Sequence, residues 1–216
     1  MIAAVVFDMD GVIVDTEQVW DEVREALVAD WGGRYSAAAQ RAMMGMSSVE
    51  WSRYMHDELG IAQTPEEINE EVVRRLLERY RTALPLVEGA VAVVSELSAS
   101  LPLAVASSSN RPLIDAVLEA AGITACFSAT VSSEEVARGK PSPDVYLEAA
   151  RRLGVEPGAC VAVEDSANGI RAAAAAGMRV IAYPNRQYPP DPDSLGLVDS
   201  VITSLADIPQ LIFSER

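Results

Sequence analysis

Ile2-Ala3-Ala4-Val5-Val6-Phe7-Asp8-Met9-Asp10-Gly11 is an apolar run of strand length that stops at two carboxylates one residue apart. A continuous apolar run, rather than an alternating one, suits a strand buried on both faces of a parallel sheet. Open α/β sheets build their sites at the C-terminal ends of such strands, and Asp8 and Asp10 are delivered there. Paired acids at the end of a buried strand are electrostatically costly unless a cation joins them or one is protonated. Alone, Asp8-Met9-Asp10-Gly11 fits equally a turn whose acids cap neighbouring backbone, so its meaning depends on what else reaches this edge.

Further strand-like runs stand at residues 102–106, 160–163, 179–183 and, more weakly, 200–202. Helical patterns separate them. Leu113, Val117, Leu118 and Ala121 mark one, closed by Gly122. Ser142-Pro143-Asp144 reads as N-cap, proline at the first helical position and an acid in the first turn of a helix that stops at Gly154. A third covers residues 168–176 and ends at Gly177. The alternation predicts right-handed βαβ units and an α/β fold with a doubly wound, Rossmann-like parallel sheet. Residues 16–83 break it, with helical patterns only, including 66–81 where Glu70–Arg74 and Glu71–Arg75 have ion-pair spacing. They are read as an inserted α-helical cap, and residues 1–15 and 84–216 as the core. The hinges fall at Val14-Asp15-Thr16 and at 84–89; the Pro- and Asp-rich stretch 188–193 is expected to be an exposed loop.

The composition excludes several classes. A net charge of −15 argues against nucleic acid and against an anionic membrane surface, which need clustered cations. Lys140 is the single lysine, so any step requiring one has one candidate. Cys126 and Cys160 are far apart and predict two reduced thiols in a cytoplasmic protein. Neither a signal peptide nor a membrane span is read. His56, the sole histidine, sits in polar company and is expected to be a solvated helix residue, so His-rich metal sites are excluded.

Strand one ends at Asp8 and Asp10, the next at Ser107-Ser108-Ser109-Asn110, and a later one at Glu164-Asp165; Lys140 precedes the helix near Ser142. In a doubly wound sheet these ends converge, bringing four carboxylates, a hydroxyl and an ammonium together. Oxygen ligands without His or Cys suit Mg²⁺. Phosphoryl transfer uses such parts: a carboxylate to attack phosphorus, cations to neutralise its oxygens, and a second acid for the leaving oxygen.

This arrangement resembles the haloacid dehalogenase superfamily, in its branch of phosphatases and phosphomutases with a helical cap. The first motif is carried by Asp8-Met9-Asp10-Gly11-Val12-Ile13-Val14-Asp15-Thr16 and the second by Ser107. Lys140 in Gly139-Lys140-Pro141-Ser142-Pro143-Asp144 carries the third, and Glu164-Asp165-Ser166-Ala167-Asn168-Gly169 the fourth. The resemblance implies Asp8 as nucleophile and Asp10 as general acid/base. It implies that Ser107, Lys140 and the backbone N–H groups of Met9, Asp10 and Ser108 hold the phosphoryl group. It further implies Mg²⁺ on Asp8, the Asp10 carbonyl, Glu164 and Asp165. Gly45-Met46-Ser47 resembles the specificity loop, placing Gly45 and Ser47 at the substrate, with Asn110 a further contact or simply a helix start.

Within the branch, Asp10 argues against C–halogen chemistry, and a cap without lysine excludes Schiff-base phosphonate cleavage. β-Phosphoglucomutases carry a histidine where this chain has Trp20 and a cap arginine where it has Ser48; Arg53 or Arg75 are candidate replacements. Hydrolysis of a small phosphorylated metabolite, a sugar phosphate, through an aspartyl phosphate is therefore favoured over mutase chemistry. Trp20, Met44 and Trp51 either contact the leaving group or form the cap's own core, the latter being preferred for the two tryptophans. The alternative of another class is a phospho-accepting, Mg²⁺-binding signalling or binding module without turnover. The helical insertion and the position of the acid pair on strand one speak against it. A monomer or weak homo-oligomer is expected.

Overall fold

The computed structural model describes residues 2–44, 46–185 and 188–214. Among them, β1 (Ala4–Phe7), β2 (Leu103–Ser107), β3 (Ala129–Ser132), β4 (Cys160–Glu164), β5 (Arg179–Ala182) and β6 (Ser200–Val201) form one sheet in the order β3-β2-β1-β4-β5-β6. Every pairing is parallel. β1 is central, with Phe7 in register with Val105 on one side and Val163 on the other. All of its residues are buried, which is why it reads as an unbroken apolar run.

Successive strand residues face opposite layers. Val5, Phe7, Leu103, Val105, Val161 and Val163 join one core with α5 (Ala90–Ser98), α6 (Arg111–Ala120) and α10 (Ile208–Phe213). Ala4, Val6, Ala104, Ala106 and Ala162 join the other with α7 (Asp144–Leu153) and α8 (Ala167–Ala175). The small residues on that second face let Tyr146 lie fully buried against the sheet. The short α9 (Pro192–Leu195) follows Asp191, whose side chain accepts from Ser194 N.

Between β1 and β2 lie α1 (Glu17–Asp30), α2 (Ala37–Met43), α3 (Ser48–Leu59) and α4 (Pro65–Thr82). On α1 the buried stripe is Trp20, Val23, Arg24, Leu27 and Val28, the i, i+3, i+4, i+7, i+8 spacing of one helix face. α4 starts from Thr64 with Pro65 in its first turn and buries Ile68, Val72, Leu76 and Tyr80. The chain leaves and re-enters the core through paired backbone: Asp15 N donates to Pro85 O at 2.7 Å and Val87 N to Ile13 O at 3.0 Å. No helix among the described residues is long and apolar enough to cross a membrane.

Four local expectations are corrected. β3 does not stand out in the sequence, because this edge strand is four residues long with only Val131 and Ser132 buried. α7 begins at Asp144, not Pro143, and the Ser142 hydroxyl donates to Asp144 Oδ1 instead of capping backbone. Arg74 pairs with Glu71 and Glu78, not with Glu70. His56 is half-buried, and its ring N–H donates to Gln63 O at 2.9 Å, tying α3 to the following loop.

Candidate active site at the C-terminal edge of the sheet

Asp8 follows the last residue of β1, and its N–H donates to Val163 O on β4 at 2.9 Å, which fixes where the side chain emerges. Its Oδ1 accepts from Lys140 Nζ at 2.6 Å. The same ammonium donates to Glu164 Oε1 at 2.6 Å, and Tyr146 OH donates to that oxygen at 2.7 Å. Glu164 Oε2 accepts from the N–H groups of Asp165 and Ser166 and from the Ser166 hydroxyl. Lys140 is therefore aimed rather than merely charged: two carboxylates hold it while its ammonium sits 5.0 Å from the Tyr146 ring centroid. Burial works against its charge, but Asp8 and Glu164 outweigh that and raise its pKa.

Asp10 is oriented by a separate set of donors. Oδ1 accepts from Thr16 Oγ1 at 2.5 Å and Trp20 Nε1 at 3.4 Å; Oδ2 accepts from Ser109 Oγ at 2.7 Å and Ser107 Oγ at 3.5 Å. Met9 stays in the core, its carbonyl accepting from Val12, Ile13 and Val14 in the tight turn that carries the acid pair. Gly11 closes that turn at φ 89°, where a Cβ would lie 2.0 Å from Asp165 Oδ2. The glycine is needed twice, for its backbone and for its missing side chain.

Asp8, Glu164 and Asp165 are buried and can bring one oxygen each within 4.8 Å of one another. Burial pushes the Asp8 carboxyl up to about 8, with Lys140 opposing and the charges of Glu164 and Asp10 adding. Asp165 is raised well above the usual carboxylate range, first by burial and then by Glu164 and Asp8. An oxygen-only cluster so short of positive charge fits a hard divalent cation. The Asp10 carboxylate does not belong to this cluster, being turned toward Thr16, Trp20 and Ser109.

A cavity of about 540 Å³ opens over these groups, lined by Asp8, Asp10, Glu17, Arg41, Ser108, Lys140 and Asp165 among others. Asn185, Tyr188, Pro189, Pro190 and Asp191 form part of its wall. The stretch expected as an exposed loop thus also borders the site, and Gln40 of α2 donates to Tyr188 OH at 2.8 Å.

Other expected contacts lie elsewhere. Ser47 donates its N–H and hydroxyl to Glu50 at the start of α3, and does not line the cavity. Gly45 lies outside the described residues. Asn110 turns its amide to Asn69 of α4 at 3.1 Å and Glu134 at 2.6 Å, with Ser48 Oγ 3.4 Å from the same Glu134 oxygen. It bridges core and helical insertion rather than lining the cavity. Arg53 is exposed, and Arg75 is paired with Asp30 and Glu71, so neither supplies a cation here.

Sequence reasoning missed Tyr146, Thr16 and Arg24. Arg24 had a signal: it is a charged residue on the α1 stripe that Trp20, Val23, Leu27 and Val28 define. Trp20 and Trp51 are packed edge to face, 5.9 Å between centroids, and also line a smaller cavity beside Asp10, so the choice between core and site was a false one.

The family model of haloacid dehalogenase-like hydrolases matches residues 2–177. Hexitol phosphatase B of Escherichia coli (strain K12) is 34% identical over 216 residues, covering 96% of this chain and 94% of that protein. The bifunctional riboflavin kinase/FMN phosphatase of Arabidopsis thaliana is 32% identical over 95% of this chain, which spans 54% of that protein. Among solved structures, CbbY from Rhodobacter sphaeroides in complex with phosphate superposes with a TM-score of 0.86 at 27% identity, covering 96% of each chain. A putative β-phosphoglucomutase from Thermotoga maritima superposes with a TM-score of 0.74 at 25% identity, covering 99% of each chain.

Proposed function

The chain belongs to the haloacid dehalogenase-like hydrolases, and from that premise we propose that it is a Mg²⁺-dependent phosphatase of a small phosphorylated metabolite, with a sugar-like leaving group. The enzyme is a phosphoric monoester hydrolase, and its relative acting on hexitol phosphates supports the substrate class. One observation carries the mechanism: Lys140 is locked between Asp8 and Glu164 at 2.6 Å from each, while Asp10 is held separately, facing the same cavity.

In this reading Asp8 attacks phosphorus and forms an aspartyl phosphate while the ester P–O bond breaks. Asp10 gives its proton to the departing oxygen, and the ester leaves as an alcohol. Asp10 then takes a proton from water as that water attacks phosphorus, releasing inorganic phosphate and restoring Asp8. Thr16, Ser109 and Trp20 keep the Asp10 carboxyl turned toward the leaving oxygen. Lys140 balances the phosphoryl charge and Ser108 borders the same cavity, while the buried Ser107 hydroxyl, between Asp10 Oδ2 and the Ser109 N–H, supports them from behind. Asp8, Asp165 and Glu164, with the Asp10 carbonyl, would hold Mg²⁺, which supplies further charge neutralisation on those oxygens. Residues 16–83 act as a cap over the core formed by 1–15 and 84–216, excluding water and selecting the leaving group.

The test is phosphate release from a panel of sugar, polyol and other small phosphate esters, with Mg²⁺ and with EDTA, beside Asp8→Asn. Metal-dependent release that vanishes in Asp8→Asn is expected. Isomerisation of a β-anomeric glucose phosphate without net release would replace hydrolysis by mutase chemistry.

A further inference from the structure

Arg24 is 6% exposed on α1, and its Nε is buried without a hydrogen-bond partner among the described residues. Buried charges are ordinarily paired or fully hydrogen-bonded, because desolvation is otherwise uncompensated. Here the guanidinium is gripped by aromatic faces, 4.6 Å from the Trp20 centroid and 5.1 Å from that of Trp51. Both indoles and Arg24 line a cavity of about 80 Å³ that also touches Asp10, Glu17 and Ser108. A cation with few free torsions is thus presented beside the group that handles the leaving oxygen.

We propose that Arg24 determines specificity by donating to a hydroxyl oxygen of the leaving group, and that the enzyme prefers phosphate esters of neutral, hydroxylated carbon chains. The inference rests on the phosphatase reading for the placement of the ester oxygen at Asp10. Charge selects the class. Glu17 borders both cavities and is half-buried, so its carboxylate offsets the one buried guanidinium. A second phosphate or a carboxylate entering this space finds the Arg24 charge already balanced and adds an uncompensated anion beside Glu17. A hydroxyl can accept from Arg24 and donate to Glu17, satisfying both. Arg41, which lines the larger cavity, is exposed and screened by water, so it discriminates little.

The experiment compares wild type with Arg24→Met, which keeps a linear side chain between the indoles, and Arg24→Gln. A hexitol phosphate and glycerol phosphate are assayed beside p-nitrophenyl phosphate, which lacks a hydroxyl, and phosphoglycolate, which carries a carboxylate. For the hydroxylated esters kcat/KM should fall about 10- to 100-fold, mainly through KM, the size expected for one lost charge-assisted hydrogen bond. For p-nitrophenyl phosphate it should stay within about threefold, a split that a merely structural role would not produce. Equal loss on every ester, no loss on any, selective loss on phosphoglycolate, or unfolding of both variants would overturn the proposal. Calorimetric binding of the hexitol phosphate to Asp8→Asn, with and without Arg24→Met, reads Arg24 without turnover. If wild type hydrolyses none of the esters, the phosphatase reading fails, while a binding difference still supports Arg24 and its absence overturns it.

Discussion

A Cβ on Gly169 would lie 1.7 Å from Oε1 of Glu164, the oxygen that holds both Lys140 and Tyr146. The first turn of α8 therefore comes as close to the Glu164 carboxylate as a backbone without a side chain permits. In an ordinary helix Gly→Ala stabilises by up to about 1 kcal/mol. Here the sign should reverse: Gly169→Ala displaces Glu164, releases Lys140 and destabilises the fold by about 1–3 kcal/mol, with at least about tenfold lower kcat/KM. Urea unfolding and phosphate release check the two halves.

Lys140→Met should abolish turnover and cost about 3–5 kcal/mol, because it leaves Asp8 and Glu164 buried without their shared cation. Tyr146→Phe, which removes one donor to Glu164 and no charge, should cost about 1 kcal/mol and leave measurable activity. Urea unfolding midpoints and steady-state rates of the two variants separate the charge from the hydrogen bond.

Thr16→Val deletes the 2.5 Å hydrogen bond to Asp10 without changing shape much. It should lower kcat by about 10-fold or more with little change in KM, since Asp10 acts on the leaving oxygen rather than on ground-state binding. Trp20→Phe, removing the longer 3.4 Å bond, should have a smaller effect in the same direction. A large rise in KM with unchanged kcat in Thr16→Val would contradict the role given to Asp10. Steady-state kinetics on the best ester decide it.

EDTA should remove activity and Mg²⁺ restore it. Asp165→Asn should raise the Mg²⁺ concentration needed by about 10-fold or more, as a buried anionic ligand becomes neutral. A readout independent of turnover is thermal stability, which a ligand bound only by the native state raises. Mg²⁺ should raise the Tm of wild type more than that of Asp165→Asn.

What was legible in the sequence was what local patterning encodes. The apolar run into Asp8 and Asp10 read correctly as a strand buried on both faces, because such burial leaves no alternation. Gly11 and Gly169 were visible only as motif letters; that Gly11 makes room for Asp165 of the fourth motif, and Gly169 for Glu164 of its own, only the tertiary structure shows. β3 was not legible because a short edge strand buries too little to impose a pattern. Asn110 was open between a substrate contact and a helix start; it stands at the N-cap of α6, and only the tertiary structure shows its side chain joining α4 to Glu134.

The sequence by itself determined the strands of the sheet other than β3, the helical insertion and the edge at which acids, hydroxyls and the lone lysine gather, since strand and helix periods are local and strand ends in a doubly wound sheet share one side. Only the tertiary structure decided how that charge is divided: Lys140 between Asp8 and Glu164, Asp10 among hydroxyls and an indole, and Arg24 clamped between two tryptophans. The reason is physical. Burial and direction convert a residue type into a role, and both depend on distant partners, as Asp8 depends on Lys140, 132 positions away in the chain.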